Sequence, residues 1–384
     1  MSSRRRKALA AGAIAALSIG LAACAPSGSA TTAEGEDAPV RFGVALPDTG
    51  NSAQYGEYFR QGLDLALGEI NEAGGIDGRQ VELVYEDTQA DPAQAPQVAQ
   101  KFVDDSSILA VLGDFGTPAT SAASPIYQDG GLVQFAFSAS GPDVTDAGDY
   151  VFATWVSQEF EAPRLARFAA ETGETAAVFY HDTDWGQETY GFFQQGEEDA
   201  GLTEAYATAY DPESTDFRPL LLAAKAKNPE VIVLISYAAD GALITSQARE
   251  LGIDTPIVGI SSIYNQQFID LAGDAANGVQ TLSYFTPENS DPEVQDFIAR
   301  FEEATGEPTP SDYAIRAYDA LNAVAQGAER ASELTRSGLR DALADGGDFT
   351  SVLYGEYQLD DTRRVSDAEQ FPLVIEDGAF TLQK

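Results

Sequence analysis

Short, almost wholly apolar runs bounded by Gly, Pro or Asp alternate along the chain with segments whose apolar residues recur every three or four positions. The first kind packs as strands buried on both faces, the second as amphipathic helices. Val40–Leu46 predicts a first strand. Phe59, Leu63, Ala66, Leu67 and Ile70 then mark one face of a helix that Gly74 and Gly75 stop. Val81–Glu86 reads as a strand, and Asp91-Pro92 opens a helix that turns Ala95, Val98, Ala99, Phe102 and Val103 inward. Two buried strands follow, one running through Ala110-Val111-Leu112 and one through Leu132–Phe137. After Trp155 the alternation restarts with a helix over Pro163–Glu171, a strand over Ala176–Tyr180 and a helix over Tyr190–Ala200. A strand near Ala205–Tyr210, a helix Phe217–Lys227, a strand Val231–Ser236, a helix Ala242–Leu251 and a short strand Pro256–Gly259 complete this second series. Near Thr281–Pro287 the chain is expected to cross back into two long helices, Pro292–Thr305 and Ser311–Ala331. Phe349–Leu359 and Phe371–Leu382 read as terminal strands. Strands and helices alternating through short connections predict an α/β protein of two lobes, each a parallel sheet covered by helices.

Two of the strand ends share a further feature. Gly113-Asp-Phe-Gly116-Thr117-Pro118 and Ser138-Ala139-Ser140-Gly141-Pro142 are tight turns with Pro just beyond them, where a missing N–H costs a helix nothing. Side by side, they would aim free backbone N–H groups and hydroxyls at one spot, which can hold a carboxylate without a cation. The same Thr117 and Ser140 would equally serve as caps of their own helices.

The N-terminus changes the picture of where the protein works. Arg4-Arg5-Arg6-Lys7 precedes an apolar run from Ala8 to Ala23, too short and too rich in Ala and Gly for a membrane span, and the run ends in Leu21-Ala22-Ala23-Cys24. This is similar to a bacterial lipoprotein signal (residues 1–23), in which Cys24 is lipidated and becomes the first mature residue. Residues 24–39 are small and polar and read as a flexible tether. Stable anchoring takes more than one acyl chain, which the diacylation implied by such a signal provides.

At 384 residues the chain is long enough for two cores. Its formal charge of −39 excludes nucleic acid and anionic membrane surfaces as partners, and losing the four leader cations takes it from −39 to −43. The single Cys forms no internal disulfide, and the single His, His181, has no second His or Cys with which to share a zinc ion. Asp182 and Asp184 lack the Gly and distal Glu of a calcium loop. Serine-hydrolase and P-loop patterns are absent, and the first strand leads to Pro47-Asp-Thr-Gly50, not to a dinucleotide-binding glycine motif. No metal, no cofactor and no enzymatic activity are expected. A binding module, a dinucleotide enzyme and a ligand-sensing ectodomain share this architecture. The missing glycine motif counts against the enzyme, and a sensor would need a signalling partner.

Several stretches carry a family resemblance. They are Ala53-Gln54-Tyr55-Gly56, Asn71-Glu-Ala-Gly74-Gly75-Ile76-Asp-Gly78, Tyr127-Gln-Asp-Gly130-Gly131 leading to Ser138-Ala139-Ser140, and Tyr313-Ala-Ile-Arg-Ala-Tyr318-Asp319-Ala320. From Val40 almost to its end the chain resembles the extracytoplasmic substrate-binding subunit of an ABC importer of the branched-chain amino acid (Leu/Ile/Val) type. The resemblance implies the periplasmic binding protein type I fold, two Rossmann-like lobes joined by three crossovers, with the ligand in the cleft between them. The lobes would be residues 40–156 plus 284–366, and 157–283 plus 367–384. A monomer that hands a small carboxylate, most simply an amino acid, to a membrane permease is implied. So are the ligand contacts: Gly116 and Thr117, then Ser138, Ala139 and Ser140 at the carboxylate, with Tyr55, Trp185 and Tyr237 as aromatic walls. The position expected to be acidic, for the ligand ammonium, is Ser261, with Asp240 as the substitute nearest in sequence. If Asp240 does not reach the cleft, the site suits an aromatic or branched organic acid without an amine.

Overall fold

The computed structural model describes residues 38–365 and 368–383. The leader, Cys24 and the tether up to residue 37 lie outside the described residues, as do residues 366 and 367, where a lobe boundary is expected.

The first series runs β1 (Val40–Leu46), α1 (Ala53–Glu72), β2 (Val81–Asp87), α2 (Ala95–Asp104), β3 (Ile108–Leu112), α3 (Thr117–Asp129), β4 (Val133–Ala136) and β5 (Val151–Ala153). Its five strands form one parallel sheet in the order β2-β1-β3-β4-β5. Phe42, Val44, Leu46, Leu112 and Phe135 are wholly buried there. The second series runs α4 (Gln158–Thr172), β6 (Thr175–His181), α5 (Asp184–Ala200), β7 (Thr203–Tyr210), α6 (Arg218–Lys225), β8 (Val231–Ile235), α7 (Ala238–Glu250), β9 (Ile257–Gly259), α8 (Gln266–Ala272) and β10 (Gln280–Ser283). Its strands are parallel, in the order β10-β9-β8-β6-β7.

The chain then returns. α9 (Pro292–Thr305), α10 (Asp312–Arg330) and α11 (Arg336–Ala344) follow, with α10 packed along α1 and α11 against β3 and β4 of the first sheet. The stretch read as one strand from Phe349 is a hairpin of β11 (Phe349–Ser351) and β12 (Gly355–Tyr357). The last stretch is also a hairpin, β13 (Phe371–Glu376) and β14 (Ala379–Leu382), whose β13 adds antiparallel to β10. Asp377-Gly378 is the turn, both residues at positive φ.

Two of the sequence signatures have structural work. Asn71, at the end of α1, accepts from the Val81 N–H at 2.7 Å and donates to the Val81 carbonyl at 3.0 Å, pinning the start of β2. Asp319, buried on α10, accepts from the Ser351 hydroxyl and from the N–H groups of Val352 and Leu353, and so fixes the β11–β12 turn.

Candidate ligand cleft

The site is built where the C-terminal ends of the strands face each other. Gly116 sits at φ 78°, a conformation open to glycine, and turns the chain from β3 into α3. The N-cap position is thus Gly116, and Thr117 is the first residue of the helix, which corrects the expectation of Thr117 as a cap. Its hydroxyl makes no bond to its own helix. It accepts from the Gly141 N–H at 2.9 Å and ties the two turns together. The first N–H groups of α3 have no intrahelical acceptor and carry the positive end of its dipole. Ser138 is buried beside them with an unpartnered hydroxyl. Ser140 caps nothing either: its hydroxyl donates to Gln158 Oε1 at 3.3 Å and accepts from the Trp185 indole N–H at 3.1 Å.

A cation stands behind this cradle. Arg364, buried on the chain's third crossing, donates to the carbonyls of Gly141 at 2.8 Å and of Ala139 and Trp155 at 3.4 Å. It aligns the 139–141 loop and adds a positive field under it. Burial lowers its pKa to about 10, which leaves it charged at neutral pH.

At the other end of the cavity only Ser261 was expected from the sequence. Trp155, Glu161, Tyr313 and Arg316 join it in the walls. Glu161, in the first turn of α4, is 4% exposed. Ser261 offers it a hydroxyl and a backbone N–H, yet Glu161 Oε1 has no partner. Burial raises its pKa, against the pull of Ser261 and of the Arg316 charge. Arg316 is likewise 4% exposed and pairs with Asp312 one turn earlier on α10. Its guanidinium lies 3.1 Å from the centroid of Trp155 and 4.2 Å from that of Tyr313.

Of the expected aromatics, Trp185 and Tyr237 stack on each other at 4.7 Å and both line the cavity. Trp185 lies in the first turn of α5, and Gly186 beside it admits no larger residue, since a Cβ would come 2.0 Å from the His181 carbonyl oxygen. His181 packs edge-on against Trp185 and Tyr237, and burial pushes its pKa down to about 4. Tyr55 forms a second layer, stacked at 4.3 Å on Phe115, which takes the place in the wall. Gly116, Thr117, Ser138, Ser140 and Ser261 line the cavity, whereas Ala139 lies behind it. Asp240 is not in the wall either. Its carboxylate accepts from the Tyr210 hydroxyl, and the cleft's acidic group is Glu161 instead. The free space left between these walls is about 20 Å³, enough for one water molecule. Outside the cavity Gln54 and Gln267 exchange amide hydrogen bonds, and Tyr58 donates to Asn265 Oδ1 at 3.4 Å, holding the lobes closed.

A model of the periplasmic binding protein family matches residues 39–370. The chain belongs to that family. It is a transport solute-binding protein and not an enzyme. Over 307 residues it is 30% identical to the leucine-, isoleucine-, valine-, threonine- and alanine-binding protein of Pseudomonas aeruginosa, covering 79% of this chain and 82% of that one. The substrate-binding protein of a Streptococcus pneumoniae branched-chain amino acid transporter, solved with isoleucine, superposes with a TM-score of 0.81. Its identity is 27%, over 89% of this chain and 97% of that one. An ABC transporter substrate-binding protein of Desulfitobacterium hafniense, solved with Leu, is 29% identical with a TM-score of 0.76, over 90% of this chain and all of that one.

In this binding protein Thr117→Ala removes no helix cap. It removes the acceptor for the Gly141 N–H, at a cost of about 1 kcal/mol of stability. If the Thr117 hydroxyl also donates to a ligand carboxylate, affinity falls about tenfold or more. Denaturation and ligand titration of the same variant separate the two effects. Unchanged affinity with lowered stability leaves Thr117 only its tie between the turns.

Proposed function

We propose that this protein captures an α-amino acid in the cleft and delivers it to an ABC permease, as a monomer tethered outside the cell through lipidated Cys24. The lobes that close on the ligand are residues 40–156 plus 284–366, and 157–283 plus 367–384. The carboxylate sits at Thr117, Ser138 and the first N–H groups of α3, with Arg364 behind them. The ammonium meets Glu161.

The observation that carries this reading is the unpartnered, buried Glu161 carboxylate oxygen beside Ser261. The nearby Arg316 charge is already paired with Asp312, so a buried Glu161 anion is left without a full counter-charge, which is unfavourable, and a ligand ammonium supplies one. The acidic group has moved from the loop after β9 to the first turn of α4, and Ser261 now supports it with hydrogen bonds.

Both tryptophans of the chain, Trp155 and Trp185, line the cavity, so intrinsic fluorescence reads binding directly. Titration with α-amino acids is expected to saturate. The deaminated acid of the same carbon skeleton is expected to bind about 30-fold or more weakly, because it leaves Glu161 unpaired. Equal binding of the two would replace this reading with a carboxylate binder that ignores the amine.

A further inference from the structure

Arg316 is a charged side chain with no assigned task in holding an amino acid's backbone. The carboxylate cradle is closed by bonds among Thr117, Ser140, Gly141, Trp185 and Arg364, and none of these involves Arg316. Arg316 lies at the other end, where Trp155 leads from one lobe to the other and stacks edge-on at 5.0 Å against Tyr284 on the return crossing. Its two faces are occupied by Trp155 and Tyr313, so only the edge of the guanidinium can make hydrogen bonds. On the Asp312 side Nη2 meets Oδ2, and Nε and Asp312 Oδ1 beside it are both buried without a partner, whereas the second amino group, Nη1, makes no hydrogen bond among the described residues and is the donor left for a ligand.

An apolar pocket for an aliphatic side chain has no use for such an edge. Filling it with a branched alkyl group would bury the guanidinium's donors still further without an acceptor. We infer that Arg316 selects the ligand's side chain, and that the preferred ligand is an α-amino acid whose side chain carries an uncharged hydrogen-bond acceptor, a hydroxyl or an amide. This deepens the amino-acid reading and rests on it. Charge sets the choice within polar side chains. Arg316 is matched by Asp312, and Glu161 by the ligand ammonium. A side-chain carboxylate would add a third anion beside Asp312 and Glu161, and a side-chain cation would face Arg316. A neutral acceptor satisfies the edge and leaves the balance unchanged.

Isosteric pairs test this on the whole protein. Threonine against valine and glutamine against methionine differ mainly in the acceptor, and glutamate and lysine test the charge argument. By calorimetric or fluorescence titration the polar member of at least one pair is expected to bind about tenfold or more tightly than its apolar partner, and more tightly than glutamate or lysine. Apolar members binding as well in both pairs would overturn the inference, as would tighter binding of a charged amino acid. If no α-amino acid binds in any arm, the amino-acid reading itself fails.

The source of the selectivity is tested by Arg316→Met together with Asp312→Leu, which removes both ions and leaves neither unpaired. The gap within the selective pair is expected to shrink to about threefold or less, mainly through weaker binding of the polar member. An unchanged gap, or an equal loss for both members, would mean that Arg316 does not read the side chain. Where the double variant does not fold, Arg316→Lys keeps the charge beside Asp312 but loses the planar fork, and the gap is expected to narrow at least threefold.

Discussion

Glu161→Gln is expected to weaken amino-acid binding by roughly 30- to 1,000-fold. A hydrogen bond between buried ions contributes about 2–4 kcal/mol to binding, and each 1.4 kcal/mol is tenfold. The neutral amide keeps the size of the side chain and an oxygen for the Ser261 donors. What is lost is the charge that faces the ammonium. Two further readouts set this apart from general damage. The unliganded protein is expected to be as stable as the wild type or more so, because the substitution removes a carboxylate whose ionisation burial already disfavours. The deaminated acid is expected to bind the variant at least as well as the wild type, since no anion is left to repel it. Amino-acid affinity within threefold of the wild type would remove Glu161 from the site.

That Glu161 escapes a reading of the sequence has a local cause. Pro163 signals a helix start, and the helix is therefore expected from Pro163. In the structure α4 begins at Gln158, with the Ser157 hydroxyl accepting from the Glu159 N–H at 3.4 Å and Pro163 inside the second turn. With no N–H, Pro163 leaves the Glu159 carbonyl without its intrahelical donor, so α4 gives up one bond near its start. Glu161 is thereby moved from an apparent connection to a helical turn that opens onto the cleft. The same shift applies to α5, which starts at Asp184 and not at Tyr190, so Trp185 projects from a helix and not from a turn.

Arg316 is hidden for a different reason. Asp312 and Arg316 are one helical turn apart, the spacing of an ordinary solvent-exposed ion pair. Only the packing of α10 against α1, with Trp155 closing over the guanidinium, makes the pair a buried one. Thr117, Glu161 and Arg316 are far apart in sequence, and no local pattern places them in one cavity. Most strands, β5 and β10 excepted, and the two tight turns after β3 and β4 were legible because their signal is local: apolar runs, a glycine at a forced turn and a proline at a helix start. The terminal hairpins were not, because the turns that fold them back sit inside stretches of strand-like composition.

Acidification from pH 8 to about 5.5 is expected to raise the melting temperature of this protein, opposite to the usual loss of stability towards acid. Burial pushes the pKa of Asp114 and of Glu197 up to about 7 and that of Asp319 up to about 6. In the unfolded chain such groups titrate near 4. Between about 4 and 7 the folded protein therefore binds more protons than the unfolded one, and stability falls as pH rises through that window. The opposing group is His181, held near 4 against about 6.5 when unfolded, so its contribution is lost as pH falls below 6.5. One histidine works against these three carboxylates and Asp240, which burial also pushes up to about 6. The carboxylates with lowered pKa, among them Asp87, Asp105 and Asp149, contribute stability that is lost only below about 4, outside the range. Self-repulsion at a formal charge of −39 acts in the same direction as the buried carboxylates, because every bound proton relieves it. Salt screens that part, with a Debye length of about 10 Å at 0.1 M, so added NaCl at pH 8 is expected to raise the melting temperature too. It does not relieve the desolvation of Asp114, 2% exposed on the loop that carries Phe115 and Gly116. Asp114→Asn keeps an oxygen for the Thr88 hydroxyl, which donates to Asp114 Oδ1 at 2.9 Å, and for the Phe115 N–H. It is expected to raise the melting temperature at pH 8 and to flatten the slope towards pH 5.5, with each kcal/mol worth about 2–4 °C in a lobe of ~150–250 residues. Thermal melts of wild type and variant at pH 8, 7 and 5.5, in low and molar NaCl, test both parts. A wild-type melting temperature that drops steadily from pH 8 to 5.5 would mean that these carboxylates are charged in the folded protein. A slope unchanged by Asp114→Asn would assign the effect to surface repulsion alone.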